Sequence, residues 1–355
     1  MRFPRSLTVS GVGLLGLNFN DEMKIVFLEL PDWEEKYLRG RVENAHELVV
    51  FREVLEDKQL AAIADAGIVS PFIYSKLTAK RLAKLPTLKM IATRSTGFDH
   101  IDVAECTKRG IVVCNVPFYG ENTVAEHTFA LILALSRKVH EAFVRVRAGN
   151  FSLDGLRGFD LKGKTIGVVG AGRIGLHVIR IARGFGMKIL AFDVKRDDFW
   201  AEVLGFKYAE LNELLAHSDI ITLHAPYNRH THHLINCDNI HQIKHGAILI
   251  NTARGGLVNT DALLQALDQG ILAGAGLDVL EGEEAIYEES ALLGDAVNPE
   301  KLRTAIQNHM VLKKPNVVFT PHNAFNSQEA LERILDTTAE NIAAFAAGTP
   351  KNVVR

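Results

Sequence analysis

The sequence predicts an α/β fold made of two doubly wound parallel-sheet domains. Three observations lead there. Short runs such as "KIVFLEL", "KTIGVVG" and "AILINT" are continuously apolar rather than alternating, which marks strands buried on both faces of a parallel sheet. Helix-length segments separate these runs almost throughout, so the chain reads as a succession of βαβ units. The 355 residues are enough for two domains at ~100–200 residues each, and 47% apolar residues supply a core for both.

Taken in order, residues 1–22, "MRFPRSLTVSGVGLLGLNFNDE", carry basic residues and then a mildly apolar stretch. Ser, Thr, Gly and Asn interrupt that stretch and no Ala-x-Ala follows, so a disordered extension is expected rather than a secretion signal. Strands are expected in "KIVFLEL", "ELVVF", "LKMIAT" and "GIVVCN", and these define a first domain over 23–118. "ENTVAEHTFALILALSRKVHEAFVRVRAG", Glu121 to Gly149, has no Gly or Pro until its end and predicts one long helix. Its Val124–Leu135 portion is apolar nearly all round, which suits both a core helix and a homodimer interface. "KTIGVVG", "MKILAF", "DIITLH", "AILINT", "GAGLDV" and "NVVFT" supply the strands of a second domain over 119–323. "SQEALERILDTTAENIAAFAAG" opens with a Ser cap, has Glu329 near its first turn and ends at Gly348. This last helix returns the chain to the first domain, which therefore comprises 23–118 and 324–355, with a cleft between the two domains.

Bulk properties exclude several classes. A net charge of −2 offers no nucleic-acid or membrane-surface footprint. No apolar run reaches the ~18 residues a bilayer span needs. Cys106, Cys114 and Cys237 are too few and scattered for a disulfide framework, which fits a reducing cytoplasm. "NRHTHHLI" holds His230, His232 and His233, but their spacing makes no helical metal pair and the sequence brings no acid to them. An exposed turn without metal is expected.

The strongest local motif is Gly170, Gly172 and Gly175 in "GAGRIG", between a strand and a helix. The first glycine allows a tight turn and the second lets a pyrophosphate approach the backbone. The third allows close helix–strand packing, and the helix N-terminus faces the phosphates. Asp193 ends the next strand, 18 residues after Gly175, where it can accept hydrogen bonds from ribose hydroxyls. An acid there repels a 2′-phosphate and favours NAD over NADP, although Lys195 and Arg196 follow closely. Near the other end of the chain, "VVFTPHNAF" turns from a buried strand into Pro-His-Asn. His322 is thereby placed beyond a strand's carboxyl end, where open α/β sheets bind ligands.

The blocks "TRSTGFDHID", "NVPFYGENTVAEHT", "GKTIGVVGAGRIG", "INTARGGLVNTDAL", "GAGLDVLEGEE" and "FTPHNAF" occur in one order and spacing. In them the chain resembles the D-isomer-specific 2-hydroxyacid dehydrogenases, and most of all their D-lactate dehydrogenase branch. The resemblance implies a Rossmann NAD domain inserted in a flavodoxin-like substrate domain. It implies a catalytic Arg, Glu and His, which fall on Arg254, Glu283 and His322. Glu281 and Glu284 are neighbours that the spacing disfavours, and Glu284 stands where many members have Pro. Cofactor contacts are implied at Arg173, Ile174, Ala225, Pro226, Thr231, Thr252, Ala253 and Asp278. Asp278 would hold the nicotinamide amide, with Thr123 or Val124 behind the ring. Phe72, Tyr74 and Phe325 would line the substrate side-chain pocket, with ordinary core packing equally open to them.

The chemistry suits those residue types. Reduction of a 2-keto acid needs a hydride, a proton and a hold on a carboxylate. Imidazole exchanges protons near neutrality, so His322 can supply the proton. Glu283 would fix its ring and favour its charged form. Arg254 offers a planar fork to the substrate carboxylate. Backbone N–H groups of Ser95, Thr96 and Gly97 could take the other carboxylate oxygen. The expected activity is NAD-dependent interconversion of a 2-keto acid and a D-2-hydroxy acid, foremost pyruvate and D-lactate. The alternatives are a glyoxylate/hydroxypyruvate reductase and a non-enzymatic NAD(H)-sensing protein of the corepressor kind.

Overall fold

The computed structural model describes residues 23–42, 46–283 and 299–354. The N-terminal stretch 1–22, Glu284 and the acidic segment after it lie outside the described residues. Contacts divide the chain into two units, one running to Tyr119 and resuming at Leu331–Arg355, the other spanning Gly120–Ala330.

The first unit holds five parallel strands: β1 (Lys24–Phe27), β2 (Glu47–Val50), β3 (Ile68–Ser70), β4 (Met90–Ala92) and β5 (Val112–Cys114). Their order is β2-β1-β3-β4-β5, the flavodoxin-like arrangement. Helices α1 (Asp32–Val42), α2 (Ala79–Leu82) and α3 (Val103–Lys108) belong to this unit. Successive strand residues enter opposite cores. Val26, Val69, Ile91 and Val113 pack with Leu60, Leu82 and Cys106. Ile25, Ile68, Met90 and Cys114 pack with Leu335, Ile342 and Phe345 from the C-terminal segment. Both faces are covered, so a strand with polar alternation would bury unpaired groups, which is why these runs are continuously apolar. Burial pushes the Cys106 thiol up to about 11 and the Cys114 thiol up to about 12.

The second unit is a seven-stranded parallel sheet: β6 (Thr165–Val169), β7 (Lys188–Phe192), β8 (Lys207–Tyr208), β9 (Ile220–Leu223), β10 (Ala247–Asn251), β11 (Leu272–Leu277) and β12 (Val317–Phe319). The order β12-β11-β10-β9-β6-β7-β8 reverses between β6 and β9, the topological switch of a Rossmann sheet. Helices α4 (Glu121–Arg137), α5 (Val139–Arg147), α6 (Arg173–Gly184), α7 (Asp198–Leu204), α8 (Leu211–His217), α9 (Thr260–Asp268) and α10 (Pro299–Leu312) complete it. Phe129, Ile132, Val178 and Ile179 cover one face over Ile166, Val168, Ile248 and Ile250. Leu214, Leu215, Leu263 and Leu267 cover the other over Ile221, Leu223, Leu249 and Leu277.

The single helix expected over Glu121–Gly149 is two helices. Lys138 breaks it with a left-handed φ of 51°. The cause is a later segment: Phe159 N–H donates to the Ser136 carbonyl at 2.9 Å. Gly158 lies so close that a Cβ there would stand 2.0 Å from the same oxygen. Losing that carbonyl to another segment ends the helical ladder. The apolar circumference of α4 is spent inside the unit, where Val124, Ala125, Phe129, Leu131 and Ile132 are buried. The exposed apolar surface falls on α5 instead, at Val139, Phe143 and Val144.

The last helix, α11 (Gln328–Ala346), starts where expected, with the Ser327 hydroxyl accepting Ala330 N–H at 3.2 Å. The boundary between units falls just inside this helix rather than at 323/324, because the turn before it is bonded to the second unit at Asp278 and Thr123.

Candidate active site

Strand β6 is almost wholly buried and hands over to Gly170 at φ 97°, a conformation reserved for glycine. A Cβ on Gly170 would meet the Ala225 nitrogen at 2.6 Å, and one on Gly175 would meet the Gly170 carbonyl at 2.0 Å. A Cβ on Gly172 meets nothing within 4 Å. Two glycines are therefore demanded by the protein's own packing, and the third leaves open space at the start of α6. No side chain caps that helix among the described residues, so its first N–H groups can serve an anion. A dinucleotide pyrophosphate fits this cradle, which Arg173 and Ile174 continue.

Asp193 follows β7. One of its carboxylate oxygens accepts Ala171 N–H and the other accepts Lys195 N–H, each at 2.8 Å. The acid thus ties the glycine turn to the end of the neighbouring strand. Ala225 and Pro226 follow β9, across the switch point from the glycine turn. Thr231 closes their loop by donating to the Pro226 carbonyl at 2.7 Å and accepting Asn228 N–H at 2.8 Å. Between β9 and Ala225 sits His224, bonded through Nε2 to the Thr222 hydroxyl at 2.8 Å. Its Nδ1 is shielded and has no hydrogen-bond partner among the described residues, and burial pushes the ring down to about 3.

The catalytic candidates come from three neighbouring strands in register: Asn251 of β10 pairs with Leu277 of β11, and Leu277 pairs with Phe319 of β12. Arg254 lies three residues past the first strand, Glu283 six past the second and His322 three past the third. The structure joins two of them directly, His322 Nδ1 lying 2.9 Å from Glu283 Oε1, both largely shielded. Glu283 is itself braced, its other oxygen accepting Leu280 N–H at 3.1 Å. His322 is held at φ 50°, uncommon for a non-glycine residue and the kind of strain that surroundings must impose. Its N–H donates to the Asp278 carbonyl at 2.9 Å. The Phe325 ring stands edge-on to the imidazole, centroids 6.4 Å apart.

Arg254 is half-buried, and its loop is shaped by Asn251, whose side chain donates to the Arg254 carbonyl at 2.9 Å and accepts Ala253 N–H at 3.1 Å. Thr252 is buried with its hydroxyl 3.0 Å from that of Thr128. Gly255 then presses on the Leu280–Glu281 peptide, where a Cβ would come within 2.1 Å of the Leu280 carbonyl. The loop bearing Arg254 and the turn bearing Glu283 are in backbone contact.

Asp278 proves to be an internal anchor. Its carboxylate accepts Asn323 N–H at 2.8 Å, Ala324 N–H at 2.9 Å and the Thr320 hydroxyl, and His127 Nε2 of α4 stands 3.4 Å away. Burial alone would raise this carboxyl, but the His127, Thr320, Asn323 and Ala324 donors outweigh it and hold it below the ordinary value. The nicotinamide-amide contact expected of Asp278 would have to share oxygens already engaged. His127, Asn251, Gly255 and Thr320 brace the candidate site through contacts that nothing local in the sequence marks. His127 stood in plain view inside "TVAEHT", yet its partners are more than 150 residues away. Thr123 and Val124 lie buried at the start of α4.

The first unit carries the other expected contacts. Ser95 is buried, its hydroxyl donating to the Gly97 carbonyl at 2.6 Å, while exposed Thr96 donates to the Val116 carbonyl at 2.8 Å. Arg94, 1% exposed, donates to the carbonyls of Leu28, Glu29 and Ser70 and so fixes the base of this turn. The Glu29 carboxylate accepts N–H groups of Phe72, Tyr74 and Ser75 at 2.9–3.2 Å, which locks the loop carrying both aromatics. Phe72 and Tyr74 are half-buried, neither sealed in a core nor free of one.

One expectation needs correction. The sequence brought no acid to the His230–His233 run, but the fold does: Glu281 Oε1 lies 2.6 Å from His233 Nε2. The two residues are 48 positions apart, and only the adjacency of the 227–234 loop to the end of β11 unites them.

A sequence profile described as "D-isomer specific 2-hydroxyacid dehydrogenase, NAD binding domain" matches residues 129–324. A D-lactate dehydrogenase of Curvularia clavata is 37% identical over 335 residues, covering 92% of this chain and 94% of that protein. A glyoxylate reductase of Korarchaeum cryptofilum is 37% identical over 324 residues, covering 89% and 91% respectively. The crystal structure of D-lactate dehydrogenase from Aquifex aeolicus, complexed with NAD and lactic acid, superposes with a TM-score of 0.83. It is 39% identical and covers 92% of this chain and 96% of its own. With a glycine cradle on a Rossmann sheet, a braced His–Glu pair at its rim and this similarity over nearly the whole length, the chain belongs to the NAD-dependent D-isomer-specific 2-hydroxyacid dehydrogenases.

Proposed function

We propose that this dehydrogenase interconverts pyruvate and D-lactate, with Arg254, Glu283 and His322 as its catalytic residues. The observation that carries the reading is the 2.9 Å contact between His322 Nδ1 and Glu283. Nδ1 lies against the carboxylate, so in this reading Nε2 gives the proton to the substrate carbonyl oxygen and Glu283 orients the ring. Arg254 pairs with the substrate carboxylate and places positive charge beside the polarised carbonyl. NAD, when bound, supplies the hydride chemistry. Gly170, Gly172, Arg173, Ile174 and Gly175 hold its pyrophosphate, and Asp193 its ribose. Ala225, Pro226, Thr231, Thr252, Ala253 and Asp278 line the remainder. The Ser95–Gly97 turn serves as an anion-binding element, and Phe72, Tyr74 and Phe325 shape side-chain preference. The exposed Val139, Phe143 and Val144 of α5 form a homodimer contact, and the three reduced thiols suit a cytoplasmic enzyme.

The glyoxylate reductase relative supports glyoxylate or hydroxypyruvate as the second reading. Purified protein supplied with NADH or NADPH and, in turn, pyruvate, phenylpyruvate, glyoxylate and hydroxypyruvate tests both. The expected result is the highest kcat/KM for pyruvate with NADH. Higher values for glyoxylate would replace the first reading by the second, and no oxidation of either cofactor would overturn both.

A further inference from the structure

The His232–His233–Glu281 cluster lies outside the catalytic set proposed above. Its three ligating atoms all fall within 4.8 Å of one another. His233 is held at φ 50°, with its N–H donating to the Gly256 carbonyl at 2.8 Å, which aims the ring at Glu281. Glu281 is steadied from the far side by the Thr260 hydroxyl at 3.2 Å, and its backbone carbonyl by the Asn308 side chain at 2.8 Å. His232 stacks on His233 with ring centroids 3.8 Å apart and planes 26° apart, and its Nδ1 lies 3.0 Å from the Tyr227 hydroxyl.

A simple His233–Glu281 ion pair does not account for the second imidazole. The second ring brings a second nitrogen within reach of the same point, and neutral imidazole nitrogens are metal ligands. We propose that His232, His233 and Glu281 form a binding site for a zinc-type divalent cation, with a fourth position open to water. Two imidazole nitrogens and one carboxylate oxygen are a ligand set that Zn²⁺ accepts, and a hard cation such as Mg²⁺ would not select it. Tetrahedral bonds of ~2.0–2.1 Å place ligand atoms ~3.3 Å apart. The 2.6 Å His233–Glu281 contact therefore opens slightly on binding, and the widest separation closes by rotation of the exposed His232 side chain. The ligands come from two segments 48 residues apart, so the bound ion cross-links the 227–234 loop to the turn after β11.

The test is calorimetric titration of untagged, chelator-treated full-length protein with Zn²⁺, paired with thermal melts. The expected result is one site per chain, a Tm that rises with Zn²⁺, and affinity at least tenfold weaker in both His232→Ala and Glu281→Gln. His232 is exposed, so its replacement leaves the Tm without metal unchanged. The exposed Cys237 thiol is the competing ligand nearby, and Cys237→Ser should retain full affinity. Absence of one-site binding would overturn the proposal. So would affinity that survives His232→Ala but is lost in Cys237→Ser.

Discussion

Replacing Gly255 by alanine tests whether backbone packing sets the spacing between Arg254 and the His322–Glu283 pair. The new Cβ would lie 2.1 Å from both the carbon and the oxygen of the Leu280 carbonyl and 2.4 Å from Glu281 N, whereas ordinary contact begins at 3.4 Å. The difference, about 1.3 Å, is the parting of the two backbones that would restore ordinary contact. Every atom met is main chain, so no rotamer change relieves the clash. Arg254 rides on one of the parted segments and Glu283 on the other. A displacement of ~1 Å in a catalytic constellation costs on the order of 10²-fold, which corresponds to about 2.7 kcal/mol of transition-state stabilisation. The overpacking itself should cost about 1–3 kcal/mol of stability. The assay is kcat/KM for pyruvate followed by NADH absorbance, with NADH affinity by fluorescence titration and Tm by calorimetry. The expected variant is folded, binds NADH within about threefold of the parent and loses about 100-fold in kcat/KM. A kcat/KM within about threefold of the parent would refute the reasoning, because the Gly255 contact would then not govern the site.

Other perturbations separate cofactor binding from folding. Gly172→Val places a side chain in space the protein itself leaves empty, so NADH affinity should drop more than tenfold with Tm nearly unchanged; a large Tm loss with intact affinity would contradict the cradle. Acid should destabilise the second unit through His224. Its folded value is pushed from 6.5 down to about 3, so between those values the unfolded chain takes up a proton that the folded chain refuses. The sign follows: stability is fully present above 6.5 and falls as pH drops through the window, by at most ~1.4 kcal/mol per pH unit. Asp278, also held low, adds to the loss only below its ordinary 3.8. Urea midpoints at pH 7 and pH 5 should therefore converge in His224→Gln, and an unchanged difference would exclude His224 as the cause.

Much of this architecture is legible in the chain because a parallel sheet covered on both faces imposes a pattern that few other structures share. Ile25 and Val26 enter opposite cores, as do Ile166 and Gly167, so the apolar runs announce the strands directly. The glycine turn is legible for a similar reason: Gly170 and Gly175 answer to local backbone contacts that any such strand–turn–helix must make. The rest depends on partners far along the chain. Nothing near Lys138 foretells its break, since Gly158 and Phe159 impose it from outside. Glu281 looks like one acid in an acidic run until the fold sets it against His233. Glu29, Arg94 and His127 look like ordinary charged or polar residues, and only their backbone and carboxylate partners reveal them as the braces of the expected binding loops. Asp278 shows the converse case, where a position expected to hold a ligand is already occupied in holding the turn that aims His322.

The most direct measurement is the turnover of His322→Asn against its NADH affinity. Asn tolerates the left-handed backbone at this position, so the turn is preserved while the imidazole is removed. Pyruvate reduction should fall by about 10²–10⁴-fold, the usual worth of a positioned general acid, with NADH bound as tightly as before. Retained turnover, or an equal loss of turnover and NADH binding, would contradict the assignment of His322 as the proton donor.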